Sequence, residues 1–251
     1  MQAYVTLVRR ELGSSFLSWT GYVVVGAVVF LLGMCFVNLL AALNNTDTEQ
    51  PLLEMFYGTY YFWLILLLAT PVITMRSFAL EKSSGTFETL MTTPVSDKQV
   101  IFAKFTGALI FYSLMWLPLA ACIFIVRKFS NDPSLLDPGA MLSTALGILL
   151  LGSLYVSLGC FASSLTRNQI IAAMLSFVLG ISLFLMSFLS YAFAGDNSIM
   201  AKIFAHVSLI EHMRDFARGV IDTRAVVFDL SLTALFLFLT HRAVESRRWK
   251  S

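Results

Sequence analysis

The chain has 251 residues, of which 58% are apolar and only 13% charged, and its mean hydropathy is +0.80. Soluble domains are about 45–50% apolar and about 25% charged, so one soluble domain could not bury this much apolar surface. The composition excludes a soluble enzyme, a disordered chain and a disulfide scaffold, and the net charge of +2 does not favour a nucleic-acid partner. It predicts an all-α protein whose partner is the lipid bilayer.

The first predicted element is an amphipathic helix over residues 2–18. Apolar side chains recur there at helical spacing, and Arg9, Arg10 and Glu11 lie between them. A helix with one apolar face and a charged face lies in the plane of a membrane interface. We therefore expect this segment on the cytoplasmic surface of the membrane.

Six charge-poor stretches predict membrane-spanning helices. Crossing about 30 Å of hydrocarbon takes about 20 residues, because a helix rises 1.5 Å per residue. The predicted spans are 19–43, 55–75, 105–126, 138–166, 170–195 and 225–241. Together they form one membrane domain over residues 1–251.

The segment 76–104, between the second and third spans, carries the most informative pattern. Ser84 can cap a short helix that begins at Gly85, and Glu88 falls in its first turns, where the helix dipole favours an acid. Pro94 biases the preceding residue out of a helix. The pattern predicts a rigid two-turn helix that transmits motion from a soluble partner. A solvated loop with incidental charges is the alternative.

Local signals also mark the third and fourth spans. Ser96 and Gln99 form a capping-box pattern, so the third helix begins before the bilayer does. Pro118 predicts a kink inside the third span. Asp137 followed by Pro138 is typical of the first residues of a helix.

Residues 198–222 predict an amphipathic helix on the outer side. Charged residues recur there at steps of three and four, which predicts a polar face of paired charges. They are Glu211, Arg214, Asp215, Arg218 and Asp222. The opposite face is apolar, so the helix would dip into the edge of the bilayer.

Asp229 is the only charged residue within the six predicted stretches. One interpretation places it at a water-exposed helix start, where the dipole favours an acid. The other places it on a transport pathway, because acids inside spans are costly and usually functional. An intramembrane enzyme would need a pair of polar residues within the spans, and the sequence offers Asp229 without an evident partner. We therefore predict no catalytic residue.

Motifs for nucleotide and metal chemistry are missing as well. The sequence has no phosphate-binding loop of the form GxxxxGK[ST], and its three histidines lack metal-ligand spacing. We predict no metal site and no cofactor bound by this chain. Eleven of the 17 Lys and Arg residues fall on the side of the two termini, which predicts cytoplasmic termini.

Three stretches resemble one family. The pattern Glu81-x-x-x-Gly85-Thr86-x-Glu88-x-Leu90-x-x-x-Pro94, followed by Lys104, resembles the coupling-helix region of ABC type-2 transporter permeases. Residues 157–169 and 216–222 resemble later segments of the same family. Residues 71–78 and 237–249 are most similar to the gliding-motility-associated permeases, and permeases for copper and nitrous-oxide-reductase maturation are near relatives.

The resemblance implies a permease subunit of an ATP-driven exporter or mechanotransmission complex in a bacterial inner membrane. It implies two cytoplasmic ATPase subunits that carry ATP and Mg, and a second permease copy or paralogue. In a gliding-type complex, a membrane subunit with a large periplasmic domain would accompany them. It also implies that the coupling motif contacts the ATPase. A membrane scaffold or assembly subunit that transports nothing stays open as an alternative.

Overall fold

The computed structural model describes residues 2–45, 52–86, 96–129, 137–192, 204 and 206–246. Throughout these residues the ordered elements are helices, and no strand occurs among them. Six helices are long and apolar enough to cross a membrane. The prediction of an all-α protein with six spans is therefore confirmed.

The helices are numbered in chain order. They are α1 (Gln2–Phe16), α2 (Trp19–Asn45), α3 (Leu52–Gly58), α4 (Tyr60–Thr74), α5 (Ala79–Ser83), α6 (Asp97–Met115), α7 (Leu117–Phe129), α8 (Pro138–Leu165), α9 (Gln169–Ala192), α10 (Leu209–Ala217) and α11 (Thr223–Glu245). The candidate spans in the described residues are Trp19–Ala42, Tyr60–Ser83, Asp97–Val126, Pro138–Leu165, Gln169–Phe188 and Thr223–Glu245.

The second span begins later than the predicted boundary at residue 55. Thr59 has an extended backbone and separates α3 from α4. Its hydroxyl donates to the carbonyl oxygen of Phe56 at 2.6 Å, which ends α3 with a local side-chain bond. The second span therefore starts at Tyr60, and α3 is a short separate helix that precedes it.

The third span shows both of its predicted local features. Ser96 and Gln99 make the capping box, and the helix begins at Asp97. Helix α6 ends at Met115, its C-cap Trp116 lies two residues before Pro118, and α7 follows from Leu117. Proline has no backbone N–H and crowds the preceding turn, which explains the interruption.

Helix α8 is the most deeply buried span and packs against α4, α6, α9, α10 and α11. Its glycines let neighbouring helices approach closely. A methyl group on Gly152 would overlap the ring of Tyr112, and one on Gly159 would overlap Thr74. Small residues of this kind are typical of helix contacts inside a membrane, where dispersion attraction depends on close packing. Helix α8 therefore positions the elements at both ends of the bundle.

Candidate functional site

The two ends of the bundle carry different polar groups. We call the end that holds α1, α5 and the first turns of α6 the α1 end. The opposite end, which holds α3 and α10, is the α10 end. The described coupling residues, Glu81, Gly85 and Thr86, lie at the α1 end, and α10 lies within the predicted outer segment 198–222.

Four charged residues from three helices form an ion-pair cluster at the α1 end. Lys104 Nζ of α6 lies 2.9 Å from Glu11 Oε1 of α1 and 2.8 Å from Glu81 Oε1 of α5. Arg10 Nη2 adds contacts of 3.1 Å to Glu81 and 3.3 Å to Glu11. The Lys104 side chain is only 2% exposed, so its charge depends on these two carboxylates. We call these four residues the Lys104 cluster.

Helix α5 is also fixed to the end of α8. The hydroxyl oxygen of Ser163 accepts hydrogen bonds from the backbone N–H groups of Phe78 and Ala79, both at 3.1 Å. The same hydroxyl donates to the carbonyl oxygen of Met75 at 3.1 Å. One serine therefore satisfies three backbone groups where α4 turns into α5. Lys82 Nζ adds a hydrogen bond to the carbonyl of Ser164.

The predicted short helix does not begin at Gly85 itself. Gly85 has a φ of 74°, in the left-handed region that favours glycine. Its neighbour Ser84 caps the C-terminus of α5, and the Ser84 N–H donates to the Leu80 carbonyl at 3.0 Å. Gly85 therefore follows the end of α5, as glycine commonly does, and Thr86 after it is helical. The predicted coupling residues Glu88, Leu90 and Pro94 lie outside the described residues.

The structure separates the described coupling residues into two kinds. Glu81 is held within the Lys104 cluster, and its side chain is 17% exposed. Gly85 and Thr86 are exposed. A contact between any of these residues and an ATPase stays a prediction, and the exposed pair is the better placed for one.

Helix α1 covers Gln2–Phe16 of the predicted segment 2–18 and packs against a neighbouring helix. It packs along α6, with Tyr4 Oη 2.7 Å from Thr106 Oγ1 and the rings of Phe16 and Phe111 4.9 Å apart. Arg9 is exposed and lies outside the Lys104 cluster. The periodicity of α1 gave no sign that Glu11 faces Lys104, because a hydropathy pattern identifies a face but not its partner.

At the α10 end, a single acid holds two arginines. Glu54 of α3 accepts from Arg214 Nε at 2.8 Å, from Arg218 Nε at 3.0 Å and from Arg218 Nη2 at 2.7 Å. The hydrogen bond from Arg218, followed by that from Arg214, lowers the pKa of the Glu54 carboxyl against the opposing effect of burial. Sequence analysis did not single out Glu54, since it lies far from α10 along the chain.

The prediction for the outer helix is partly wrong. In the described part of 198–222, residues 204, 206 and 207 are helical, Ser208 interrupts the helix, and α10 runs over Leu209–Ala217. Gly219, with a φ of 84°, follows its end. Among the described residues, its two arginines form their ion pairs with Glu54 of α3. Asp222 belongs to the next helix, where its carboxylate accepts from the N–H of Arg224 at 2.8 Å and caps α11. Glu211 and Asp215 are half-buried on α10.

Asp229 of α11 is fully buried, which overturns the interpretation of a water-exposed helix start. Neither of its carboxylate oxygens has a hydrogen-bond partner among the described residues. Beside it, the hydroxyl of Thr233 donates to the Asp229 carbonyl at 2.7 Å and lies 3.2 Å from the Ser153 hydroxyl of α8. The carboxyl group is thus enclosed where α11 meets the central helix.

No group of three or more His, Cys, Asp or Glu side chains within the described ranges could hold a metal ion. The histidine at the α10 end, His212, is buried, and burial lowers the pKa of its imidazole. The polar sites described above are ion pairs and an enclosed acid.

A family model described as ABC-2 family transporter protein matches residues 14–231. The match begins near the end of α1, covers α2 to α10 and reaches into α11. The matched residues include Glu81, Lys104 and Asp229. They also include Glu54, Arg214 and Arg218 at the α10 end. No curated protein matches the chain at a significant level of similarity.

Proposed function

This chain belongs to the ABC-2 transporter family and is the permease component of an ABC transporter; from that premise we propose that it couples to separate ATPase subunits at the α1 end. The segment that begins with α5 would receive the ATPase. The six spans would convert the movement of that partner into alternating access or mechanical displacement.

The Lys104 cluster is the observation that supports this proposal. It joins α1, α5 and α6 through one buried cation, and removing a partner from a buried ion pair is strongly unfavourable. Ser163 joins α5 to α8 in the same place. A force applied to the exposed residues Gly85 and Thr86 would therefore reach four helices together. This is the mechanical requirement for transmitting ATP-driven movement into the spans.

The proposed assembly follows from the family and from the charges. Two cytoplasmic ATPase subunits would bind ATP and Mg, and a second permease copy or paralogue would complete the transmembrane part. The excess of Lys and Arg on the side of the termini supports a bacterial inner-membrane protein with both termini in the cytoplasm. The similarity of residues 71–78 and 237–249 supports a gliding-motility-type complex. A periplasmic-domain subunit would belong to that assembly.

Asp229 is the proposed pathway residue. It is fully buried without a hydrogen-bond partner among the described residues, and a pair of hydroxyls from Ser153 and Thr233 lies beside it. An unsatisfied acid inside a span is retained at a cost in stability, which favours a functional role. Movement of α11 against α8 would open this site to a ligand.

Photocrosslinking tests the coupling proposal. A photoreactive amino acid replaces Thr86 at the α1 end or Val220, which is exposed at the α10 end, as a matched control. The proposal predicts a crosslink from position 86 to a soluble subunit with a GxxxxGK[ST] loop, and none from position 220. If no ATPase is crosslinked or copurifies from the native membrane, the coupling proposal fails.

Transport and scaffolding are separated by activity in liposomes. A transporter predicts that a candidate substrate stimulates ATP hydrolysis by the purified complex and moves across the bilayer. Substitution of Asp229 should reduce both responses while the ATPase stays attached. Unchanged hydrolysis and no flux with any candidate would favour the scaffold alternative.

A further inference from the structure

A cavity of about 320 Å³ lies at the α1 end between α1, α2, α4 and α6. Its volume falls at the lower end of the range of about 300–1,000 Å³ for ligand pockets. The lining combines charged residues of the Lys104 cluster, serine and threonine hydroxyls and a set of apolar side chains. The apolar set comprises Val24, Val72, Ile73, Leu80, Ala108 and Phe111. A cavity with both surfaces suits an amphiphile.

Arg76 lines this cavity as a cation without a carboxylate partner among the described residues. Its Nη1 donates to the hydroxyl of Thr20 at 2.6 Å, and its Nε has no partner. A guanidinium carries five N–H donors in a planar fork that matches the oxygens of a phosphate or carboxylate. Most of the donor capacity of Arg76 is therefore free to bind an oxyanion.

Glu81 lines the same cavity, and one of its carboxylate oxygens has no hydrogen-bond donor among the described residues. Its Oε1 receives both Arg10 and Lys104, whereas its Oε2 has no hydrogen-bond partner although it is sheltered from solvent. Buried carboxylate oxygens are normally satisfied, so this one lacks a donor. Glu81 lines the cavity, so its carboxylate can accept from a ligand bound there. A ligand with N–H groups would supply the missing donor.

The surface beside the cavity is apolar. At the junction of α1 and α2, Leu17 is 81% exposed and Trp19 is 85% exposed, and Tyr22 is exposed on the next turn. Trp and Tyr are enriched where a membrane meets water. Residues between and after them, Ser18 and Thr20, line the cavity. The cavity thus lies at the level where lipid headgroups would stand.

We propose that this cavity binds the headgroup of an ethanolamine phospholipid. The phosphate contacts the guanidinium of Arg76, and the primary ammonium donates to the carboxylate of Glu81. The glycerol and the first acyl carbons lie along Val24 and Val72. A choline headgroup has no N–H to donate, and a glycerol headgroup offers Glu81 only neutral hydroxyl donors, which bind a carboxylate more weakly than an ammonium does. The proposal requires only that the chain spans a membrane and is independent of the coupling to an ATPase.

Native mass spectrometry of the full chain, purified with its copurifying subunits and stripped of lipid, tests the proposal. Phosphatidylethanolamine, phosphatidylcholine and phosphatidylglycerol with identical acyl chains are added one at a time. We expect one retained ethanolamine lipid per chain and a preference of about tenfold over the other two, because a charge-assisted hydrogen bond distinguishes them.

Variants assign the two contacts. Arg76→Gln should weaken the retention of the ethanolamine lipid by about tenfold, and Glu81→Gln should abolish its preference over the choline lipid. The matched controls Arg218→Gln and Glu54→Gln, at the α10 end, should retain the lipid unchanged. Because Glu81 also pairs with Lys104, a second variant keeps the test independent of that ion pair. Ser14→Trp fills the cavity from an exposed position and should also prevent retention.

Three results would overturn the proposal. Equal retention of the ethanolamine and choline lipids would remove the role of Glu81. Equal retention of the glycerol lipid would reduce the site to a simple anion site. If soluble phosphoethanolamine competes as well as the lipid does, the cavity binds a water-soluble ligand and not a lipid of the bilayer.

Discussion

Lys104 Nζ of α6 lies 2.8 Å from Glu81 Oε1 of α5, and the same nitrogen reaches Glu11 of α1 at 2.9 Å. One buried cation therefore pairs with acids from two other helices, and Arg10 supplies the second positive charge of the cluster. The separation of these helices would leave a charge in a poorly solvated place. This geometry makes the α1 end a single mechanical unit, and the first prediction tests that unit.

Lys104→Met should destabilise the protein by about 3 kcal/mol, because it leaves Glu11 and Glu81 close together without their shared cation. Thermal unfolding of the purified protein measures the change. Lys98→Met, on the exposed surface of the same helix, is the control and should leave the unfolding temperature unchanged. Equal unfolding temperatures for the two variants would contradict the role of Lys104 as the cation that holds α1, α5 and α6 together.

Ser163→Ala should destabilise the protein by about 1–3 kcal/mol. The substitution removes the acceptor of the Phe78 and Ala79 N–H groups, and both residues are buried. Hydrogen exchange should show faster opening of α5 than in the parent chain. Ser182→Ala, whose hydroxyl donates only to its own helix at Leu179, serves as the control. Unchanged exchange of α5 would show that Ser163 does not fix it.

Gly159→Ala should destabilise the bundle by about 1–3 kcal/mol, because its methyl group would overlap Thr74 on the neighbouring helix. Gly33→Ala is the matched control, since nothing lies within 4 Å of the added carbon. Alanine favours a helix over glycine, so the control should be neutral or stabilising. Denaturation in detergent compares the two. A stabilising effect of Gly159→Ala would mean that α4 and α8 do not pack this closely.

The contact of Glu54 with Arg214 and Arg218 predicts a dependence of stability on pH. Because the folded-state pKa of Glu54 is lowered, its ionised form contributes stability above the unfolded pKa of about 4.3. That contribution is lost as the pH falls through the lower, folded value. The unfolding temperature of the parent chain should therefore exceed that of Glu54→Gln at pH 6 and converge with it toward pH 3. A constant difference across this range would show that the carboxylate charge contributes nothing.

Asp229→Leu should stabilise the protein by about 1–3 kcal/mol, because it removes a buried carboxyl group without a partner and fills the site with apolar atoms. A pathway role predicts that the same variant loses substrate-stimulated ATP hydrolysis. Asp229→Asn, which keeps the shape and a polar group, is the companion variant. Lower stability of Asp229→Leu would show that the carboxyl is satisfied in the folded protein.

Hydropathy identified the six spans, because crossing a bilayer demands a long apolar stretch whatever surrounds it. The caps at Ser96 and Asp137 were equally predictable, since a cap bonds to its own helix two or three residues away. These features are local. Each is encoded within at most 30 consecutive residues, and the structure confirms them.

The boundaries that depend on neighbours were not predictable in the same way. Gly85 was interpreted as a helix start, but α5 ends before it and helical backbone resumes at Thr86. The start of α5 was not predicted at all: the N–H groups of Phe78 and Ala79 there donate to the hydroxyl of Ser163. That serine lies on α8, far along the chain.

The amino-acid sequence by itself determined the class of protein, the number of spans and the family pattern from Glu81 to Pro94. Only the tertiary structure decided the partners of the charges: Glu11 with Lys104, Glu54 with the arginines of α10, and no partner for Asp229 among the described residues. Hydropathy is a property of each segment. Ion pairing and burial are set by which faces of distant helices meet, and that choice is made by close packing around α8.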